Sequence, residues 1–234
     1  MLEMSIRGGF LVYRQTPRSA RVRATSRRRI LAAARRLFGR HGYQATTMRQ
    51  IAEAAGTSIG NLYFYFSNKD DLLNALVTEA RDRVWGWIDQ VSALLPPGPA
   101  RLAVAIYANA IGLLWSDRAL TYMLFREAER PEMADRIAGL YQGRIRQAIQ
   151  ENVPDYPAAD LDRAAVTWTG AGRYAVQRLV AGDLADDPLE LARFVARWNL
   201  RGLGVPDGDI DQAIQMAQEA VKTAGLLKAG NPRA

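Results

Sequence analysis

Apolar positions recur at helical spacing in two short stretches between residues 46 and 69. Each stretch has three of them on one helical face: Ile51, Ala52 and Ala55 in the first, and Ile59, Leu62 and Phe66 in the second. Gly56 lies between the stretches, and glycine adopts the left-handed conformation that ends a helix without steric cost. Hydroxyl side chains before each stretch are candidate N-caps, namely Thr46 or Thr47 and then Thr57 or Ser58. The pattern predicts two short helices in a helix-turn-helix.

A third amphipathic pattern precedes these two helices, and a longer one follows them. Residues 26–41 have an apolar stripe of Ile30, Ala34, Leu37 and Phe38, and the helix ends at His41, which we interpret as structural. Apolar positions then follow one face of a long helix that begins at Lys69 and ends near Ser92. Prolines and a glycine in residues 95–99 break the chain.

The rest of the chain is predicted to be helical, with no strands and no internal repeats. Prolines, glycines and capping residues place its helices at residues 100–115, 117–129, 131–152, 160–182, 187–202 and 207–228. The first of these is apolar nearly all round, which is typical of a buried central helix. We therefore expect an all-α protein, with an N-terminal three-helix helix-turn-helix domain at 26–70 and a helical bundle at 71–230.

Positive charge is concentrated at the N-terminal end of the chain. The formal net charge is +7, yet residues 1–50 contain twelve arginines and one acidic residue, Glu3, so that the remainder is mildly acidic at −4. This distribution indicates that the N-terminal part meets a polyanion and the body does not. Since a helix-turn-helix lies next to the basic segment, the expected polyanion is double-stranded DNA.

Residues 1–25 show no helical periodicity, and we interpret them as a flexible basic arm. Arg18, Arg21 and Arg23 are candidates for entering a minor groove beside the recognition helix. An over-extended start site, with Met4 or a later residue as the true beginning, explains the same composition equally well.

The composition offers little for catalysis or metal binding. The chain has no cysteine and a single histidine, which excludes a disulfide framework and a cysteine metal site and fits a reducing cytoplasm. There is no Ser-His-Asp set, no phosphate-binding glycine loop and no distinctive pair of carboxylates. No apolar run is long enough to cross a membrane. We expect neither an enzyme nor a cofactor, a metal or a membrane partner.

The run from Arg29 to Leu73, RILAAARRLFGRHGYQATTMRQIAEAAGTSIGNLYFYFSNKDDLL, resembles the DNA-binding domain of the TetR (tetracycline-repressor-type) transcriptional regulators. The shared features are ILAAARRLF, GY before TT, IAEAAG, G-x-LY-x-YF and NK-x-x-LL, which occur in the family's order and at its spacing. The resemblance covers about a fifth of the chain, and the remainder is similar in length and helical character only.

The resemblance and the chemistry of the side chains together give a set of candidate DNA contacts. The resemblance implies base contacts by Ile59, Gly60, Asn61 and Tyr63, and contacts to the DNA backbone by Tyr65 and Lys69. An amide at Asn61 can bond a base edge, and Ile59 can touch a thymine methyl. Tyr63, Tyr65 and Lys69 are donors suited to phosphate, while core packing is the alternative for the two tyrosines. The set is completed by Thr47, Arg49, Thr57 and Ser58.

Aromatic side chains are numerous in the body, where the resemblance implies a pocket for a small hydrophobic or aromatic effector. An apolar pocket with a few polar groups suits such a molecule, although aromatic residues at helical spacing are also typical of a packed core. The candidates are Trp87, Tyr107, Trp115, Tyr122, Phe125, Tyr141, Trp168 and Arg173.

The resemblance also implies a homodimer that packs through two late helices. Candidate interface residues are Ala164, Ala171, Phe194, Val195 and Trp198. The expected function is that of a cytoplasmic, nucleoid-associated regulator, most simply a repressor that an effector releases from a palindromic operator. The alternative is a DNA-binding architectural or partner-regulated factor of the same fold with no effector.

Overall fold

The computed structural model describes residues 6–7, 10–11, 17–116, 131–184 and 187–225. The chain forms two compact units, Met1–Leu76 and Val77–Ala234. The units meet inside a helix, six residues beyond the end of the expected range 26–70, and the functional domain ranges stay predictions.

The N-terminal unit consists of a small strand pair followed by helices. Strands β1 (Ile6–Arg7) and β2 (Phe10–Leu11) are antiparallel, with Ile6 opposite Leu11. The prediction of no strands was therefore wrong for these four residues. Helices α1 (Pro17–His41), α2 (Met48–Ala54) and α3 (Ile59–Tyr65) follow, and α4 begins at Lys69.

Helix α1 begins nine residues earlier than its apolar stripe predicts. The expected start was residue 26, whereas the helix begins at Pro17 and so includes part of the predicted flexible arm. Residues 20–29 are exposed, apart from a half-buried Ser26, and the first buried residue is Ile30. A stretch of helix that buries no side chain leaves no apolar period in the sequence, which explains the error.

The core of the N-terminal unit is built from the stripes that the sequence predicts. Buried side chains come from every helix of the unit: Ile30, Leu31, Ala34, Phe38, Tyr43, Ile51, Ala52, Leu62, Phe66, Leu72, Leu73 and Leu76. The Phe38 and Tyr43 rings lie 5.3 Å apart, so Tyr43, two residues after the end of α1, packs on the core. Leu37 is only half-buried.

The C-terminal unit is a helical bundle. Its helices are the distal part of α4 (Lys69–Ser92), α5 (Pro99–Ser116), α6 (Pro131–Asn152), α7 (Leu161–Ala181), α8 (Pro188–Gly202) and α9 (Asp207–Thr223), with a 3₁₀ turn at Ala158–Asp160. These bounds agree with the predicted ones to within a few residues, except that α9 ends at Thr223 instead of 228. The predicted helix at 117–129 lies outside the described residues.

Helix α5 is the centre of this bundle, as its uniformly apolar sequence predicts. It packs against α8 and α9, while α6 packs against α7. Its buried side chains include Leu102, Val104, Tyr107 and Ala108. Asp187 caps α8 by accepting a hydrogen bond from the Leu189 amide at 2.7 Å, with Pro188 at the first helical position. None of the helices in the described ranges has the length and apolarity needed to cross a lipid bilayer.

Candidate functional site

The first helix of the helix-turn-helix is capped by Thr47 and not by Thr46. The Thr47 hydroxyl accepts a hydrogen bond from the Gln50 amide at 3.2 Å, and the Gln50 side chain accepts one from the Thr47 amide at 2.8 Å. This reciprocal capping box satisfies two donors at the start of α2. Thr46 is instead buried, and its hydroxyl donates to the Gly42 carbonyl at 2.8 Å.

The turn between α2 and α3 is held from α1 by an arginine. Gly56 has φ +61°, the left-handed conformation that the sequence predicts for it. The Arg29 guanidinium donates to the Ala55 carbonyl at 2.8 Å and to the Gly56 carbonyl at 3.4 Å. A cation at these carbonyls complements the negative end of α2. Arg29 therefore fixes the turn that orients the recognition helix.

The start of α3 is organised by two neighbouring hydroxyls and Asn61. Ser58 is the N-cap, and its side chain accepts a hydrogen bond from the Asn61 amide at 3.1 Å. Thr57 does not cap the helix; its hydroxyl accepts from the Asn61 side-chain nitrogen at 2.7 Å. Thr57 thus orients the side chain that is the best candidate for reading a base edge.

Helix α3 buries Leu62 and exposes most of its remaining surface. Ile59 is 42% exposed and Tyr63 is 50% exposed, and a methyl group added at Gly60 would meet no atom within 4 Å. The assignment of Ile59 to the inward stripe was therefore wrong, because this residue is the first of the helix and projects beyond the core. Its alternative place on the outer face agrees with the structure.

Phe64 is a feature of this surface that the sequence analysis missed. The side chain is 65% exposed, and its ring makes an edge contact with the half-buried Tyr65 at 5.2 Å. Its spacing was the available signal, because a helical residue two positions from both Leu62 and Phe66 points away from their common stripe. The Arg23 guanidinium lies over the Phe64 ring at 5.7 Å.

Lys69 is engaged within the protein. Its ammonium donates to the Tyr43 carbonyl at 2.7 Å, the Thr46 carbonyl at 2.9 Å and the Gln44 carbonyl at 3.3 Å, and it lies 4.4 Å from the centre of the Tyr43 ring. Lys69 therefore supports the connection between α1 and α2, whatever it contributes to DNA binding. Arg49, by contrast, projects from α2 with 85% of its side chain exposed and pairs with Glu53 at 3.2 Å.

Comparison with known proteins agrees with this geometry. Residues 30–76 match the model of the tetR family of bacterial regulatory proteins. Residues 30–76 form a TetR-type DNA-binding domain. The matched residues cover α2, α3, most of α1 and the beginning of α4.

Two named bacterial repressors are similar to this chain over different shares of its length. The transcriptional repressor AcnR of Corynebacterium glutamicum is 42% identical over 59 residues, which is 25% of this chain and 31% of AcnR. The transcriptional repressor KstR2 of Rhodococcus jostii is 27% identical over 164 residues, which is 62% of this chain and 80% of KstR2. The chain thus spans about a third of the length of the first relative.

The whole fold also has solved counterparts. The crystal structure of RolR in complex with resorcinol is similar with a TM-score of 0.61 at 22% identity, covering 85% of this chain and 95% of RolR. At that identity the likeness shows the fold alone, an N-terminal helix-turn-helix followed by a helical domain. The family and these named relatives are transcription regulators, not enzymes.

The aromatic effector candidates of the C-terminal unit occupy different environments. Tyr107 is fully buried, and its hydroxyl accepts a hydrogen bond from Gln218 at 2.9 Å. Trp168 is buried in the same core, and Tyr141 packs against that core. Trp87 and Arg173 are half-buried. The Trp115 side chain and all of Tyr122 and Phe125 lie outside the described residues.

Trp85, which the sequence analysis did not select, is more buried than Trp87. Its ring centre lies 5.5 Å from that of Tyr141. The Arg144 guanidinium stacks over the Trp85 ring at 4.5 Å and also pairs with Asp89.

Burial raises the pKa of Tyr141, with Arg81 acting in the opposite direction. Burial likewise raises the pKa of Tyr107, against smaller effects of Arg193 and Gln218.

The dimer candidates divide into exposed and buried residues. Phe194 is 67% exposed and Trp198 is 52% exposed, so two large apolar side chains stand one turn apart on the surface of α8. Ala164 and Ala171 are half-buried on α7. Val195 is only 8% exposed and packs in the core of its own chain, so it offers little surface to a partner, and its place in the interface stays a prediction. Among the described residues no group of acidic or histidine side chains could hold a metal ion.

Proposed function

We propose that this protein is a sequence-specific DNA-binding transcriptional regulator that acts in the cytoplasm as a repressor. The observation that carries the proposal is the outer face of α3. A helix with Ile59, Gly60 and Tyr63 exposed, held at a fixed angle by a capped α2 and the Arg29-bound turn, has the form of a recognition helix that enters a major groove.

The residues of this face differ in what they can recognise. Asn61 offers an amide to a base edge, Ile59 an apolar contact to a thymine methyl, and Gly60 space for close approach. The remaining candidates position the protein by donating to phosphate and carry no sequence information themselves: Thr47, Arg49, Thr57, Ser58, Tyr63, Tyr65 and Lys69. Thr57 also orients Asn61, because its hydroxyl accepts a hydrogen bond from the Asn61 side-chain amide.

We further propose that the protein binds a palindromic operator as a homodimer. The exposed apolar pair Phe194 and Trp198 supports this, because burial of large aromatic side chains is a common source of interface energy. Ala164 and Ala171 on α7 would allow the partner helices to approach closely. A two-fold axis would set the two recognition helices about 34–36 Å apart, one turn of the duplex.

The proposed trigger is a small hydrophobic or aromatic effector bound in the C-terminal unit. The aromatic side chains around Tyr107, Trp168 and Tyr141 support this, as does the resorcinol complex of RolR, a protein of the same fold. Burial of Tyr107 and Trp168 in a packed core is equally compatible with the alternative, a regulator of the same fold that responds to no small molecule.

The DNA-binding proposal is tested by incubating the purified protein with fragmented genomic DNA and sequencing what it retains. We expect an enriched inverted repeat whose half-sites are centred about one helical turn apart. The matched control is Asn61→Ala, which leaves the charge unchanged and should retain DNA with weaker enrichment of the repeat. If the fragments that the wild-type protein retains have no sequence in common, the proposal is contradicted.

The effector proposal is tested by titrating a resorcinol-type phenol with and without the operator so identified. If the effector releases the protein from its operator, the effector must lower the protein's affinity for the operator, and the operator must lower its affinity for the effector by the same factor, about 5–150-fold. Tryptophan fluorescence and fluorescence anisotropy of labelled DNA report the two equilibria. Measurable binding of the phenol with equal affinities in both titrations would favour the regulator without an effector.

A further inference from the structure

The exposed N-terminal part of α1 is a strongly basic surface. Helix α1 carries nine arginines and no acidic residue. Its residues 20–29 bury no side chain, so about three helical turns stand in solvent before Ile30 enters the core. Arg29 serves the turn between α2 and α3, but burial in the core does not explain why the rest of this segment should be helical and basic.

Two arginines attach this segment to the recognition helix. The Arg23 guanidinium lies 5.7 Å from the centre of the Phe64 ring, and the Arg27 guanidinium lies 5.3 Å from that of Phe66. Phe66 is buried, whereas Phe64 is exposed at the end of α3. The segment therefore runs beside the surface that carries Tyr63, within the same compact unit.

The remaining arginines of the segment are displayed around the helix. Arg29 is used internally at the turn, but the side chains of Arg21, Arg23 and Arg28 are exposed. Since each residue advances about 100° around a helix, Arg21 and Arg23 lie on opposite sides. The segment therefore displays guanidinium groups on two opposite sides, and a guanidinium binds phosphate oxygens in a bidentate manner.

The helical form of the segment lacks the usual sources of stability. Most helical stability in proteins comes from the packing of an apolar face, which residues 20–29 lack, and the arginines of this segment also repel one another. Its cations also stand at the positive end of the helix dipole, where anions are favoured. A row of phosphates would offset the repulsion between the arginines and would place negative charge at the positive end of the helix dipole.

We propose that residues 17–29 are a second DNA-binding element, which contacts the phosphate backbone beside the groove that α3 enters and whose helix is stabilised by that contact. The inference rests on the proposed DNA-binding function and extends it. The segment contributes affinity and salt dependence without sequence preference, because phosphates are the same at every base pair. A helix on the DNA backbone thereby replaces the flexible minor-groove arm that the sequence alone suggests.

The test compares two triple variants of equal charge change in the full chain. The first is Arg21→Gln, Arg23→Gln and Arg28→Gln, and the control is Arg83→Gln, Arg146→Gln and Arg163→Gln, at exposed positions of the C-terminal unit. Circular dichroism establishes that both are folded. Binding is measured over a range of salt concentrations to a random-sequence duplex of about three helical turns.

The slope of log K against log salt should fall by about 0.9 for each phosphate that the protein no longer neutralises. We therefore expect a decrease of about 1–3 for the first variant and none for the control. Amide exchange in residues 20–29 should slow when duplex is added to the wild-type protein. Equal slopes for the two variants, or unchanged exchange, would overturn the inference. A wild-type protein that bound no duplex would overturn the proposed function itself.

Discussion

Single side chains of the helix-turn-helix separate recognition from positioning. Asn61→Ala removes the amide that Thr57 orients, so we expect a relaxed sequence preference with little change in binding to random DNA. Lys69→Ala should weaken binding to all sequences and lower the salt slope by about one unit. Competition binding with operator and random duplexes measures both. A Lys69→Ala variant with an unchanged slope would remove this residue from the phosphate contacts.

Lys69→Ala has a second expected effect, on folding. The substitution leaves the carbonyls of Tyr43, Gln44 and Thr46 without their shared donor, which should cost about 2 kcal/mol of unfolding free energy. Denaturation in urea measures this destabilisation separately from the weaker DNA binding, which is measured under native conditions.

The buried phenol of Tyr107 should make stability depend on alkaline pH. Burial raises its pKa in the folded protein. The stabilisation associated with the neutral phenol is therefore complete below the unfolded-state pKa of about 10, and it is lost as the pH rises through the higher folded-state pKa. Tyr107→Phe should cost about 1 kcal/mol at neutral pH, because it removes the hydrogen bond with Gln218, and should flatten the alkaline decline.

Urea denaturation between neutral pH and about pH 11 checks this prediction. Tyr174→Phe is the matched control, because that side chain is 60% exposed, and it should follow the wild-type curve. A Tyr107→Phe variant whose alkaline decline parallels the wild-type protein would show that this phenol is not the group responsible.

What the sequence predicts at this scale depends on whether the signal is local. The caps at Thr47, Ser58 and Asp187 could be predicted, or narrowed to two candidates, because the hydroxyl or carboxylate bonds an amide two or three residues away. The triple contact of Lys69 could not, because its partners lie 23–26 residues earlier in the chain. The burial of Val195 could not be predicted for the same reason, since only the packed bundle shows which side of α8 is inward.

At the scale of helices, the two glycines of the helix-turn-helix should respond oppositely to alanine. Gly56 has φ +61°, and an added Cβ would lie 2.7 Å from the Arg29 guanidinium. Gly56→Ala should therefore destabilise the protein by about 1–2 kcal/mol. Gly60 lies within α3 with no atom near its added Cβ, so Gly60→Ala should stabilise the helix by up to about 1 kcal/mol while weakening operator binding.

Thermal unfolding and operator affinity, measured on the same two variants, distinguish the roles. Each glycine is the control for the other, because the chemical change is identical. Unchanged operator affinity in Gly60→Ala would show that this position does not approach the bases.

Helix boundaries were predictable where a proline begins the helix or a glycine follows its end. Pro131 and Pro188 begin α6 and α8, and Gly182 follows α7 with φ +86°. The start of α1 was not predictable, because residues 20–29 bury no apolar side chain and so show no helical period. The strands at 6–7 and 10–11 are too short to show an alternation.

For the molecule as a whole, the proposed dimer gives a clear mutational test. Trp198→Glu places a charge in the apolar patch with Phe194 and should convert dimers to monomers, because an unpaired charge in such an interface is strongly unfavourable. Leu94→Glu is the control, since Leu94 is similarly exposed, at 57%, outside α7 and α8. Light scattering should show a halved mass for the first variant only. An intact Trp198→Glu dimer would move the interface away from α8.

The exposure of Phe194 and Trp198 also has a consequence for dosage in the cell. If each operator-binding particle requires two chains, then at concentrations below the dimer dissociation constant the number of such particles grows with the square of the number of chains. A twofold change in expression would then change operator occupancy up to fourfold. The strength of the dimer contact made by Phe194 and Trp198 would then set the protein concentration at which the operator becomes occupied.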